Sequence, residues 1–88
     1  MKVAFRESFL RDARDVKEKT VQQRVREVID HVEQVNKPTD IASLKKLKGR
    51  GAYYRIRIGE YRVGLKIEAD TVTFVRILNR KDIYKYFP

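Results

Sequence analysis

Arg55, Arg57, Arg62 and Lys66 stand among apolar residues in the stretch Tyr53-Tyr54-Arg55-Ile56-Arg57-Ile58-Gly59-Glu60-Tyr61-Arg62-Val63-Gly64-Leu65-Lys66-Ile67. Cations an even number of residues apart on an extended chain share one face, and a row of them suits a polyanion. No comparable acid–base or nucleophilic set accompanies them. The chain has no cysteine and a single histidine, His31, which lies among polar positions and reads as a surface residue. Thiol chemistry and cysteine-based metal sites are excluded, and no zinc or other metal site is expected.

The element that would present these cations is a two-strand hairpin around Gly59-Glu60. Tyr54, Ile56 and Ile58 fall on one face of its first strand, and Tyr61, Val63, Leu65 and Ile67 form the matching face of the second. Tyr53, Arg55 and Arg57 point the other way, together with Arg62, Gly64 and Lys66. Like charges opposite one another destabilise a sheet, so the basic face is either a solvated exterior or a surface for an anion.

Charge distribution bears on that choice. The formal net charge is +9 over 88 residues. Residues 1–40 hold nine Lys/Arg against eight Asp/Glu, whereas residues 41–88 hold twelve against four. The excess lies in the half that contains the hairpin, the footprint expected of a nucleic-acid binder. An anionic membrane surface or an acidic protein would satisfy the same charge. No apolar run is long enough for a membrane span, and Met-Lys-Val-Ala-Phe-Arg lacks a signal peptide's apolar centre, so one cytoplasmic domain over 1–88 is expected.

The remaining elements follow from periodicity. A strand is predicted from Lys2 to Arg6. Ser8 is expected to cap a helix carrying Phe9, Leu10, Ala13 and Val16. Thr20 is expected to cap a second, whose stripe is Val21, Val25, Val28, Ile29, Val32 and Val35. Asn36-Lys37-Pro38-Thr39-Asp40 ends it, with Asp40 capping one more turn through Ile41 and Leu44. Leu44-Lys45-Lys46-Leu47-Lys48-Gly49-Arg50-Gly51 reads as a basic loop without P-loop spacing. Ala69-Asp70 is a turn, and Thr71 to Leu78 a strand with no polar face, as befits one covered on both sides. The tail from Asn79 holds one or two helical turns. The fold class is α+β: two N-terminal helices packed on one face of a small, mainly antiparallel twisted sheet, in the order β-α-α-β-β-β plus a short C-terminal helix.

These residues resemble the RelE/ParE superfamily of bacterial and archaeal toxin–antitoxin toxins. The likeness runs through Leu44-Lys45-Lys46-Leu47-Lys48-Gly49, Tyr54-Arg55-Ile56-Arg57-Ile58-Gly59-Glu60-Tyr61-Arg62-Val63-Gly64 and Asn79-Arg80-Lys81-Asp82-Ile83-Tyr84. The resemblance implies a RelE-like microbial RNase fold and a toxin silenced by a cognate antitoxin. RelE-like members are ribosome-dependent endoribonucleases that cut translated mRNA without a cofactor. ParE-like members poison gyrase, and a remnant that only binds nucleic acid is a third possibility. The RelE-like pattern places functional residues at Arg55, Arg57, Arg62, Arg80 and Tyr84. The best-known member has lysines where this chain has Arg55 and Arg57, and arginines stay protonated, so these two can stabilise charge but are unsuited to act as a general base.

Cleavage of RNA by its own 2′-hydroxyl needs a path for the 2′ proton, countercharge for the phosphorane and a proton for the departing 5′-oxygen. On this resemblance Arg62 and Arg80 would grip the scissile phosphate, since a guanidinium fork matches phosphate oxygens, and Tyr84 would carry a proton or stack on a base. Lys45, Lys46, Lys48, Arg50, Lys66, Arg76, Lys81 and Tyr86 would bind RNA around them. Tyr53 and Tyr61 are expected to pack, Tyr86 and Phe87 to pin the tail over the sheet, and Glu60 and Glu68 to be surface residues.

Overall fold

The computed structural model describes residues 1–88. In chain order these form β1 (Lys2–Phe5), α1 (Glu7–Arg14), α2 (Lys19–Gln34), a 3-10 turn (Pro38–Asp40), β2 (Leu44–Lys46), β3 (Tyr53–Ile58), β4 (Tyr61–Glu68), β5 (Thr71–Asn79) and α3 (Ile83–Tyr86). The five strands make one sheet in the order β1-β5-β4-β3-β2. Only β1 with β5 is parallel; the α1–α2 pair carries the chain from β1 at one edge of the sheet to β2 at the other.

The alternation in β3 and β4 does what period 2 requires. Ile56, Ile58, Val63, Leu65 and Ile67 turn to the helices, where they meet Phe9, Val16 and Val32 in the main core. Val72, Phe74 and Ile77 of β5 complete it, and Phe5, Phe9 and Phe74 stack or meet edge-on with centroids 5.3–5.8 Å apart. Burying each such side chain contributes about 1.5–3 kcal/mol before entropy is subtracted, so this face holds most of the stability.

The other face is covered over part of its area by the tail. Val75, Ile83 and Phe87 form a small second core with Leu47, Tyr53 and Leu78 against it. Phe87 lies directly on Gly64, where an added Cβ would sit 2.7 Å from the ring. Here glycine is required for close approach. The register shifts between Gly64 and Leu65, where Leu65 pairs with Phe74 and Gly64 with Arg76, leaving Val75 as the extra residue of a bulge. The bulge lets Phe74 and Ile77 both face the helices although they lie three positions apart.

Beyond Phe74, β1 no longer covers the edge of β5, and α1 takes its place. Ser8 Oγ donates to the Val75 carbonyl at 2.6 Å, and the Asp12 carboxylate accepts the Ile77 N–H at 3.1 Å. Ser8 is therefore not the helix cap that the sequence led us to expect; α1 begins at Glu7 with Arg6 at the N-cap. Thr20 likewise lies inside α2, which begins one residue earlier behind Glu18. The turn expected from Asp40 through Leu44 is a 3-10 turn ending at Asp40, and Leu44–Lys46, expected as loop, is an edge strand paired with Tyr54–Ile56.

Candidate functional site

Arg62 lies at the start of β4, on the face away from the helices, and is only 9% exposed. Its position follows from the turn before it. Gly59 takes φ +56°, as the first residue of a two-residue hairpin turn needs, and brings its carbonyl back over the strand. The Arg62 Nη1 group then donates to the carbonyls of Gly59 at 2.9 Å and Tyr61 at 3.0 Å. One guanidinium nitrogen is anchored, no carboxylate is paired with it, and the other N–H groups remain for a ligand.

Its surroundings are cationic. Burial, followed by the charges of Arg57 and Arg55, lowers the Arg62 pKa from its ordinary value, with Arg80 acting in the same direction and Tyr84 against it. Arg57 stands directly across the ladder from Arg62, and Arg55 across from Gly64. Arg80 follows the end of β5, and its backbone N–H donates to the Glu60 carbonyl at 2.8 Å, tying the chain after β5 to the hairpin turn. Tyr84 sits on α3 and is 59% exposed. Arg55, Arg57, Arg62, Arg80 and Tyr84 thus come within electrostatic reach of one another at the turn end of the sheet. A concentration of guanidinium groups of this kind can bind phosphate oxygens and stabilise additional negative charge on them.

The outlying residues divide. Lys45, Lys46, Lys48, Arg50 and Lys81 are exposed, with Lys45 opposite Arg55 on β2. Lys66 lies 3.4 Å from Glu68 and over the Tyr53 ring at 5.7 Å. Arg76 does not join the basic face: its Nε and Nη2 donate to the two Asp12 oxygens at 2.7 and 3.0 Å, and that hydrogen-bonded carboxylate raises its pKa. Tyr86, 60% exposed, lies beside Arg76 with its ring 5.7 Å away, so it is Phe87 that fastens the tail to the sheet. Tyr53 packs edge-on against Phe87, and Tyr61 borders the main core with its hydroxyl on Glu18 at 3.2 Å. His31 Nε2 accepts the Ala42 N–H at 3.1 Å and links α2 to the segment before β2.

Two residues had no role in the sequence reading beyond a place on the surface or the face, yet they shape the site. Glu60 Oε2 lies 2.9 Å from Arg80 Nε, and Gly64 admits Phe87 and so seats α3. The Gly-Glu turn was visible in the sequence; the return of the chain to it after β5 was not. No group of three or more His, Cys, Asp or Glu side chains is arranged to hold a metal ion, and no helix is long and apolar enough to cross a membrane. A separate apolar groove of about 670 Å³ opens between α1 and α2, lined by Phe5, Leu10, Val25 and Ile29 among others.

Comparison with known proteins gives a consistent picture. Residues 3–84 match the family described as the ParE toxin of the type II toxin–antitoxin system, parDE. The chain is 40% identical over 89 residues to Toxin RelE3 of Methanocaldococcus jannaschii, covering 100% of both chains. It is similar in structure to the RelB–RelE antitoxin–toxin complex from Methanococcus jannaschii, with TM-score 0.83, 36% identity and coverage of 97% of this chain and 99% of that one. The archaeal RelE–RelB complex from Pyrococcus horikoshii OT3 shares the fold at TM-score 0.72 and 23% identity, over 90% and 93% of the respective chains.

Proposed function

Because the chain belongs to the RelE/ParE superfamily of type II toxin–antitoxin toxins, we propose that it is a RelE-like, ribosome-dependent mRNA endoribonuclease that stops translation. The observation that carries this reading is Arg62: buried, anchored by main-chain carbonyls, free of any carboxylate and surrounded by Arg55, Arg57 and Arg80. A cation held in that way loses little freedom when it meets phosphate, and its attraction grows as charge develops on the phosphorane.

In the proposed reaction the 2′-hydroxyl of the RNA passes its proton to solvent water and attacks the adjacent phosphorus. The P–O5′ bond breaks, leaving a 2′,3′-cyclic phosphate and a 5′-hydroxyl. Arg62 and Arg80 hold the nonbridging oxygens, Arg55 and Arg57 add countercharge, and Tyr84 delivers a proton to the departing 5′-oxygen. These cations supply the charge stabilisation that the step demands without calling on a metal. None of them is a competent base at neutral pH, so alignment of mRNA by the ribosome supplies geometry that the free protein lacks. Lys45, Lys46, Lys48, Arg50 and Lys81 contribute salt-sensitive contacts to the RNA backbone. A cognate antitoxin is the cellular partner, and an acidic segment across the arginine face would both neutralise and block it.

Mapping of cut sites on a translated mRNA, with and without ribosomes, tests the reading. Cleavage should require ribosomes and fall about 100-fold in Arg62→Ala and in Arg80→Ala, as for loss of a charge-stabilising donor. Undiminished cutting in both variants would sink it. The matched family description favours the other branch, a gyrase inhibitor; intact mRNA with a DNA-damage response on expression is its signature.

A further inference from the structure

Arg80 stands in an unfavourable place. It is exposed, carries a long flexible side chain, and acts on Arg62 as a like charge beside Arg55 and Arg57. Left to itself, such a side chain gains both entropy and electrostatic relief by swinging out into water. Something must oppose that motion if it is to share a phosphate with Arg62.

Glu60 is placed to do so. Residues 41–88 contain four carboxylates. Glu68 meets Lys66, Asp70 meets Lys2 and Asp82 meets Lys85, all outside the arginine cluster. Glu60 alone meets a member of it, and at two points. Its carbonyl accepts the Arg80 backbone N–H at 2.8 Å, and its Oε2 lies 2.9 Å from Arg80 Nε. The contact reaches the guanidinium at Nε, the inner edge, while the two terminal nitrogens hydrogen-bond to no protein group.

We infer that Glu60 is the positioning residue for Arg80, holding its guanidinium in the site with the terminal nitrogens presented to the phosphate that Arg62 also grips. The reaction it serves rests on the nuclease reading above; the pairing rests on geometry alone. The role is not one of stability, because an exposed ion pair of this kind adds at most about 1 kcal/mol to folding. Its effect is on where a cation points, and small misplacements of such groups are costly to rate.

A double-mutant cycle with Glu60→Gln, Arg80→Ala and the pair tests this on ribosome-dependent cleavage, alongside Tm and binding of an uncleavable 2′-O-methyl RNA oligonucleotide. Glu60→Gln should lower kcat about 10-fold with Tm unchanged, Glu60→Asp should recover part of the loss, and neither should matter once Arg80 is alanine. Wild-type activity in Glu60→Gln overturns the inference, as does an equal loss in the Arg80→Ala background. A gain in activity overturns it too, by making Glu60 a competitor of phosphate. If the wild-type protein does not cleave, the nuclease reading fails instead. Oligonucleotide affinity then decides the pairing: coupled effects of the two substitutions support it, and additive ones refute it.

Discussion

Arg76 and Arg80 lie four residues apart along and just beyond β5, and each stands beside a carboxylate brought from another element. Arg76 gives two hydrogen bonds to Asp12, whose carboxylate also takes the Ile77 N–H; the side chains are 24% and 10% exposed. Arg80 meets Glu60 through one ion contact, with side chains 55% and 68% exposed. The same two chemical groups thus make a brace in one place and a loosely held, available cation in the other. Burial and the number of hydrogen bonds decide which, because a charge kept from water must keep its partner while an exposed one can exchange it for a ligand.

Four substitutions can break or sharpen that contrast. Asp12→Ala should have the largest effect on folding, about 2 kcal/mol in denaturant unfolding, since it leaves the half-buried Arg76 and the Ile77 N–H without their acceptor. Arg80→Ala should shift the same measurement by no more than about 0.5 kcal/mol. If the two variants unfold alike, the contrast is false. Gly64→Ala should come next, at about 1–2 kcal/mol, because Phe87 must move to admit a methyl group. Displaced α3 would carry Tyr84 with it, so cleavage should fall further than the unfolded fraction explains; proportional losses would place the tail with the brace alone.

Tyr61→Phe should be the smallest. Burial first, and then the Glu18 hydrogen bond, raise the Tyr61 pKa above its ordinary value near 10.0. A raised folded-state pKa gives stability that is fully present below the unfolded value and is lost as pH climbs through the folded one. The wild-type protein should therefore lose stability above about pH 10, and part of that slope should be missing in the variant, as unfolding at pH 9 and pH 11 would reveal.

Local patterns carried most of the architecture. Alternation through Tyr53–Ile67 identified the hairpin and both of its faces, and the valine stripe identified α2, because each depends on neighbours within a few residues. What escaped was decided at long range. Three residues with one apolar side chain, Leu44–Lys46, become a strand only because β3 offers an edge. Ser8 bonds to Val75 rather than capping its own helix, and Arg76 is claimed by an aspartate 64 positions away. Within the site, Arg55, Arg57 and Arg62 were legible from spacing, while the approach of Arg80 and Tyr84 was expected from a family likeness alone. Glu60 was read as a surface residue, which it is, but its partner could be seen only once β5 had returned beside the turn.

The unpaired Val75 also governs which side of the molecule the last ten residues occupy. Side chains along a strand change sides at every step, so a β5 that kept Val75 but ran on without the bulge would present Leu78 to the helices and launch the following segment from the wrong surface. Arg80 and Tyr84 would then be stranded across the sheet from Arg62. A one-residue deletion at Val75, by contrast, should restore plain alternation with Ile77 still toward the helices and keep the arginine cluster together, at the expense of the contact that Val75 makes with Ile83 and Phe87.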